Sequence, residues 1–147
     1  MITVLLADDH PFTRNALRSL LQAADDIQIV AMASNGEEAV AQASLHCPDV
    51  VVMDISMPLL DGIEATKQIC AKCPDTHVMI FSMFDNPKYI YRSLDVGAFG
   101  YVLKDAMGND VVAAIRTLHK GNRYFSQPIA GIAKQYIRHR RNDTWAG

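Results

Sequence analysis

The chain has 147 residues, half of them apolar and one in five charged, an ordinary composition for one compact soluble domain. No run approaches the ~18 apolar residues of a membrane span. The opening MITVLLADDH meets two acids after a short apolar run, with no basic segment before it, so it reads as a first strand and not a signal peptide. A cytoplasmic protein without membrane contact is the expectation.

Charge is unevenly spread. Residues 1–120 carry nine Lys and Arg against fifteen Asp and Glu, whereas residues 121–147 carry five against one. An acidic body is a poor candidate for direct nucleic-acid binding. The basic tail run Arg138-His139-Arg140-Arg141 is most simply a solvated segment or linker. The three cysteines, Cys47, Cys70 and Cys73, are an odd number without a secretion signal, which argues against a disulfide framework. The Cys70-x-x-Cys73 pair lacks the further ligands of a zinc site, and small buried or half-buried side chains are expected.

In chain order, Ile2–Ala7 is a continuous apolar run with one Thr, as in a strand buried on both faces. Pro11 opens a helix, with Phe12, Ala16, Leu17, Leu20 and Leu21 at helical spacing. Ile27–Ala33 is the second strand. The segment Ser34-Asn35-Gly36-Glu37-Glu38 makes a turn and a helix start, where acids suit the positive helix end. Val50–Met53 is the third strand, and Asp61–Cys73 the third helix, closed by Pro74. His77–Phe81 is the fourth strand, and Pro87–Val96 a helix ended by Gly97. Phe99–Leu103 is the fifth strand, and Met107–His119 the fifth helix, ended by Gly121. Pro128–Arg138 forms a further short helix, with Ile129, Ile132, Ala133 and Tyr136 on one side. Strict alternation implies an α/β fold with a parallel sheet covered on both faces.

Open parallel sheets bind ligands beyond the carboxyl ends of their strands. Asp8 and Asp9 follow the first strand, Asp54 the third, Ser82 the fourth and Lys104 the fifth. Each alone has a plain explanation: a solvated acid, a helix cap, a surface lysine. Their shared placement is what calls for a common role. Three neighbouring carboxylates repel one another, and a bound divalent cation relieves this. Oxygen-only ligands favour a hard ion such as Mg²⁺. A carboxylate can also attack phosphorus, and Mg²⁺, an amine and a hydroxyl then stabilise the equatorial oxygens. Asp54, alone at the end of a central strand, suits the nucleophile, and Asp8-Asp9 suits the metal. The five histidines, His10 among them, show no metal spacing and receive no role. The seven methionines read as core fillers.

The segments LLADDH, VVMDISMPLLDG, MIFSMF and GYVLKD closely resemble those of response-regulator receiver domains, in order and spacing, over about residues 1–120. The resemblance implies a doubly wound, flavodoxin-like sheet of five strands in the order 2-1-3-4-5. It implies phosphorylation of Asp54, with Asp9 and Asp54 binding Mg²⁺ directly, Asp8 through water, and the Ser56 backbone carbonyl as a further ligand. Met57-Pro58 and Asp61-Gly62 match the loop that shapes the site. Ser82 and Lys104 would contact the phosphoryl group, and Tyr101 stands at the switching aromatic. Asp105 replaces the Pro that many members place after the lysine. DDHPFTR, SMFD, VLKDA and GNRYFS look like the subgroup with a LuxR-type helix-turn-helix output domain. Residues 121–147 then correspond to a linker toward an output domain outside these residues.

The expected function is a non-enzymatic phosphoacceptor. A sensor histidine kinase would phosphorylate Asp54, Tyr101 would rotate inward behind Ser82, and the chain would homodimerise and control transcription through the output domain's DNA contacts. Two rivals stand beside it. A small aspartyl-nucleophile phosphohydrolase, similar to haloacid-dehalogenase-like phosphatases, would need a second Asp where Ser56 stands. An interaction module working without phosphorylation would not need the complete acid, hydroxyl and lysine set.

Overall fold

The computed structural model describes residues 1–106 and 109–146. The strands are β1 (Ile2–Ala7), β2 (Ile27–Ala33), β3 (Val50–Met53), β4 (His77–Ser82), β5 (Gly100–Leu103) and β6 (Tyr124–Phe125). The helices are α1 (Pro11–Gln22), α2 (Gly36–His46), α3 (Gly62–Lys72), α4 (Pro87–Asp95), α5 (Asn109–His119) and α6 (Gln127–Ala146). The expected start of the fifth helix at Met107 lies outside the described residues.

The strands pair in parallel in the order β2-β1-β3-β4-β5-β6. The five expected strands thus stand in the expected order, and the five-stranded expectation is corrected by one. Gly121, at φ +85°, turns the chain off α5, and Tyr124–Phe125 then pairs with Gly100–Tyr101. Two residues are too few to carry a strand period, so the sequence pattern does not reveal β6. Ser126 fastens it: its N–H donates to the Tyr101 carbonyl at 3.0 Å and its hydroxyl accepts from the Leu103 N–H at 2.9 Å.

Successive residues of a strand face opposite sides of a sheet, so each continuous apolar run feeds two cores. Leu5, Val51, Met53, Ile80 and Tyr101 pack with Ala43, Ile69, Ile90 and Leu94 beneath α2, α3 and α4. Val4, Leu6, Val52, Phe81 and Val102 pack with Leu17, Leu21, Ile115 and Leu118 beneath α1 and α5. The helix starts follow local chemistry. Asn35, Asp61 and Asn86 each accept a backbone N–H of the first turn, from Glu38, Glu64 and Lys88 respectively. Pro11 and Pro87 open α1 and α4 where a missing N–H costs nothing.

The tail is a docked helix longer than the Pro128–Arg138 expected. Ile129 and Ala133 of α6 are buried in the same core as Ile90 and Leu94 of α4. Tyr136 stacks on Tyr91 with ring centroids 4.3 Å apart, and its hydroxyl donates to Asp95 at 2.6 Å. Arg140 pairs with the same carboxylate at 3.1 Å. Of the four residues predicted to face one way, Ile129 and Ala133 are buried against the body and Ile132 and Tyr136 pack half-buried at the edge of the contact.

The reading of all three cysteines as unpaired is corrected: Cys47 and Cys73 form a disulfide. They are 26 residues apart but cap the C-terminal ends of α2 and α3, which lie side by side on one face of the sheet. Only the fold brings them together. Cys70 is a free, half-buried thiol, pushed up in pKa by burial. Among the described residues all peptide bonds are trans, Lys104–Asp105 included, and no helix is long and apolar enough to cross a membrane.

Candidate functional site at the carboxyl rim of the sheet

Parallel pairing in register carries the ends of β1, β3 and β5 to one rim. Ala7 is level with Met53, and Ser82 with Leu103, so the residues following them converge. The Asp54 N–H donates to the Ala7 carbonyl at 2.9 Å and the Asp8 N–H to the Ala33 carbonyl at 3.0 Å, so both acids are positioned by ladder bonds that continue past the strands.

Asp8 and Asp54 are buried, at 2% and 3% exposure, and Asp9 stands at the mouth. Carboxylate oxygens of Asp8, Asp9 and Asp54 and a ring nitrogen of His10 all lie within 4.8 Å of one another. The Lys104 amine reaches in from β5, 3.0 Å from Asp8 Oδ2 and 3.3 Å from Asp54 Oδ2. One amine among three acids leaves the cluster short of positive charge. Asp8 Oδ2, Asp9 Oδ1 and Asp54 Oδ2 are buried without an aligned hydrogen bond, though the first and last lie within ion-pair reach of Lys104. Buried carboxylate oxygens in that condition are costly unless a cation satisfies them. Burial, and then the charge of Asp8, push the Asp54 carboxyl up to about 6, with Lys104 pulling against them.

The loop after β3 is held to one path. The Gly62 N–H donates to the Ile55 carbonyl at 2.9 Å, and Ile55 and Met57 bury their side chains. A Cβ on Gly62 would collide with the Asp54 carbonyl, and one on Gly36 with the Leu60 carbonyl. Only glycine lets helices α2 and α3 start this close to the site. Ser56 is exposed in this loop.

Ser82 is fully buried at the end of β4, and its hydroxyl accepts the Phe84 N–H at 3.0 Å. Tyr101 lies wholly inside, and its hydroxyl donates to the Phe84 carbonyl at 2.6 Å. Burial pushes that phenol up to about 12. The ring is therefore already inward in this structure, where the sequence reading expected inward rotation to follow modification. Phe84 in turn stacks on Tyr89 of α4, centroids 4.4 Å apart.

Two residues were missed. The His10 ring nitrogen Nδ1 lies 3.2 Å from Asp8 Oδ1, 3.0 Å from Asp9 Oδ1 and 3.9 Å from Asp54 Oδ2. Arg14, one turn into α1, donates to the Asp8 carbonyl at 2.6 Å. The only signal for His10 was its position directly after Asp8-Asp9, which a search by ligand spacing passes over.

A doubly wound sheet with acids, a hydroxyl and a lysine at its carboxyl rim defines the class, and comparison bears this out. Residues 4–116 match the model of the response regulator receiver domain, and the chain belongs to that family. Among curated relatives it is 34% identical over 142 residues to the oxygen regulatory protein NreC of Staphylococcus haemolyticus, matching 95% of this chain and 65% of that one. The chain thus spans about two thirds of the length of the curated relatives it matches. A LuxR-family two-component response regulator from an Aurantimonas species superposes with a TM-score of 0.86 at 32% identity, over 92% of this chain and 96% of that one. The signal receiver domain of NarL from Mycobacterium tuberculosis does so with 0.80 at 30%, over 82% and 98%.

Proposed function

We propose that this receiver accepts a phosphoryl group on Asp54 from a sensor histidine kinase in the cytoplasm, and passes the change to an output domain that binds DNA. In this reading residues 1–120 are the receiver body and 121–147 lead toward that domain. The supporting observation is one buried carboxylate, Asp54, flanked by a lysine amine at 3.3 Å and by two further acids.

The donor set fits a hard cation. Asp9 and Asp54 would hold Mg²⁺ directly, with Asp8 through water and the Ser56 carbonyl as a further ligand. When bound, the ion neutralises charge on the cluster and on the phosphoryl oxygens. Asp54 supplies the oxygen that forms the new P–O bond as the P–N bond to the kinase histidine breaks. Lys104 already points its amine between Asp8 and Asp54, so it meets the incoming group without rearranging far. Ser82 donates its hydroxyl to the phosphoryl group.

That last contact starts the switch. Phe84 is held at both ends, its N–H by Ser82 and its carbonyl by Tyr101. Drawing Ser82 away frees one end, and Phe84, stacked on α4, passes the movement to the helix that carries α6. The change shifts a pre-existing equilibrium. With α6 lying on α4, the faces of α1 and α5 are the surfaces for homodimerisation after phosphorylation.

The test is intact mass after incubation with a small phosphodonor and Mg²⁺. One phosphoryl group is expected on the wild-type chain and none on Asp54→Asn. Multiple turnovers of a phosphomonoester without labelling would instead support a hydrolase.

A further inference from the structure

We propose that His10 is a nitrogen ligand of the cation site, making the site receptive to imidazole-preferring first-row ions such as Ni²⁺ as well as to Mg²⁺ and Mn²⁺. The inference rests on reading the acid cluster as a cation site and adds a residue and a selectivity to it.

Geometry carries the assignment. In an octahedral site with bonds of ~2.1 Å, adjacent donors stand about 3.0 Å apart and opposite ones about 4.2 Å apart. His10 Nδ1 lies 3.0 Å from Asp9 Oδ1, 3.2 Å from Asp8 Oδ1 and 3.9 Å from Asp54 Oδ2. The separation from Asp9 is that of neighbouring corners and that from Asp54 falls between the two limits, while Asp8, which acts through water, sits beside them. The plainer role for the ring is a hydrogen-bond donor that balances charge, and two details weigh against that as the whole account. Nδ1 is hydrogen-bonded to Asp8 Oδ1 at 3.2 Å, yet that oxygen also accepts the His10 backbone N–H at 2.9 Å, so it keeps a partner when the ring nitrogen turns to an ion. Asp9 Oδ1 is buried and without a hydrogen bond although Nδ1 is only 3.0 Å away. With Nδ1 turned toward Asp8, a shared ion is what would satisfy Asp9 Oδ1 and engage the ring nitrogen together.

Local structure fixes the ring there. The backbone bond from His10 to the Asp8 side chain closes a turn over Asp9, and Pro11 starts α1 at once. His10 is the residue before the first turn of α1, yet its side chain makes no capping bond to the helix. Its imidazole is therefore free for the cluster, and its replacement leaves the start of α1 intact. The ring stays largely open to solvent, so an ion can be exchanged without unfolding. Carboxylates and water suit Mg²⁺ and Mn²⁺, whereas imidazole favours Ni²⁺ and its neighbours over Mg²⁺.

The test compares the whole chain, stripped of metal with a chelator, with its His10→Gln variant. Pulsed electron paramagnetic resonance of bound Mn²⁺ reads directly coordinated nitrogen, and calorimetry reads Ni²⁺ and Mg²⁺ affinity. Expected are a nitrogen coupling in the wild type that disappears in the variant, and a loss of Ni²⁺ affinity of roughly tenfold or more, the loss that even an outer partner of a ligand causes. Mg²⁺ affinity is expected to hold or rise. Mg²⁺ binding without nitrogen coupling, or a change by one common factor for both metals, would overturn the role of His10 and leave the cation site standing. A wild-type chain that binds none of the three ions would overturn both.

Discussion

Asp54→Asn removes a carboxylate whose pKa burial and Asp8 have raised from 3.8 to about 6. A folded-state value above the unfolded one means that the folded chain holds this proton more tightly. Ionisation then opposes folding, and stability is lost as pH rises from about 3.8 through about 6. The full shift is worth at most ~3 kcal/mol at about 1.36 kcal/mol per unit. Water at the rim screens part of it, so a gain of about 1–2 kcal/mol is expected for the amide in metal-free buffer at pH 7.5. The gain should shrink to roughly half at pH 5 and vanish below the unfolded value. Urea denaturation of both chains at pH 5, 6 and 7.5 reads this as a shift of midpoint at constant slope. Mg²⁺ should reverse the order, because a ligand at a hundred times its Kd adds about 2.7 kcal/mol to the chain that binds it. A variant no more stable than wild type at pH 7.5 without metal, or a gain independent of pH, would refute the account of Asp54 as a strained, charge-crowded acid.

Lys104→Gln should raise the Asp54 carboxyl above its present value of about 6, since the amine now pulls it down, and carboxyl-carbon resonances followed against pH would show it. The same variant should slow phosphorylation by about a hundredfold or more in the mass assay. Gly62→Ala presses a methyl group against the Asp54 carbonyl and should cost about 1–3 kcal/mol or more in urea melts, with phosphorylation slowed in parallel. Ile129→Ala should cost about 2–4 kcal/mol and make the chain around Lys134 and Arg138 more susceptible to trypsin as α6 loosens. Tyr136→Phe, which removes only an exposed hydrogen bond to Asp95, should cost no more than about 1 kcal/mol.

Much of the fold was legible because buried parallel strands declare themselves as continuous apolar runs. Ile2–Ala7, Ile27–Ala33 and Val50–Met53 are bounded in the structure as their patterns imply. The placement of Asp8, Asp9, Asp54 and Lys104 was legible for the same reason: a polar residue ending such a run must stand at the rim. Other features depend on what the fold brings together. The edge strand Tyr124–Phe125 exists because β5 offers an open edge, not because two residues have a strand pattern. The Cys47–Cys73 bond needs α2 and α3 to end side by side. The inward position of Tyr101 is decided by the Phe84 carbonyl, which a loop supplies. His10 was passed over because its ring reaches the acids through a tight backbone turn, and spacing along a helix or strand does not describe turns.

A twenty-residue helix is about 30 Å long. When such a rod is held between Ile129 and Arg140 and α4 is the clamp, small rotations at one end become longer displacements at the other. A tilt of about ten degrees would carry the tip some ~5 Å sideways at this length. Under the proposed switch, α6 would be a pointer mounted on the part that moves, and its aim, more than its reach, is what modification of Asp54 would alter.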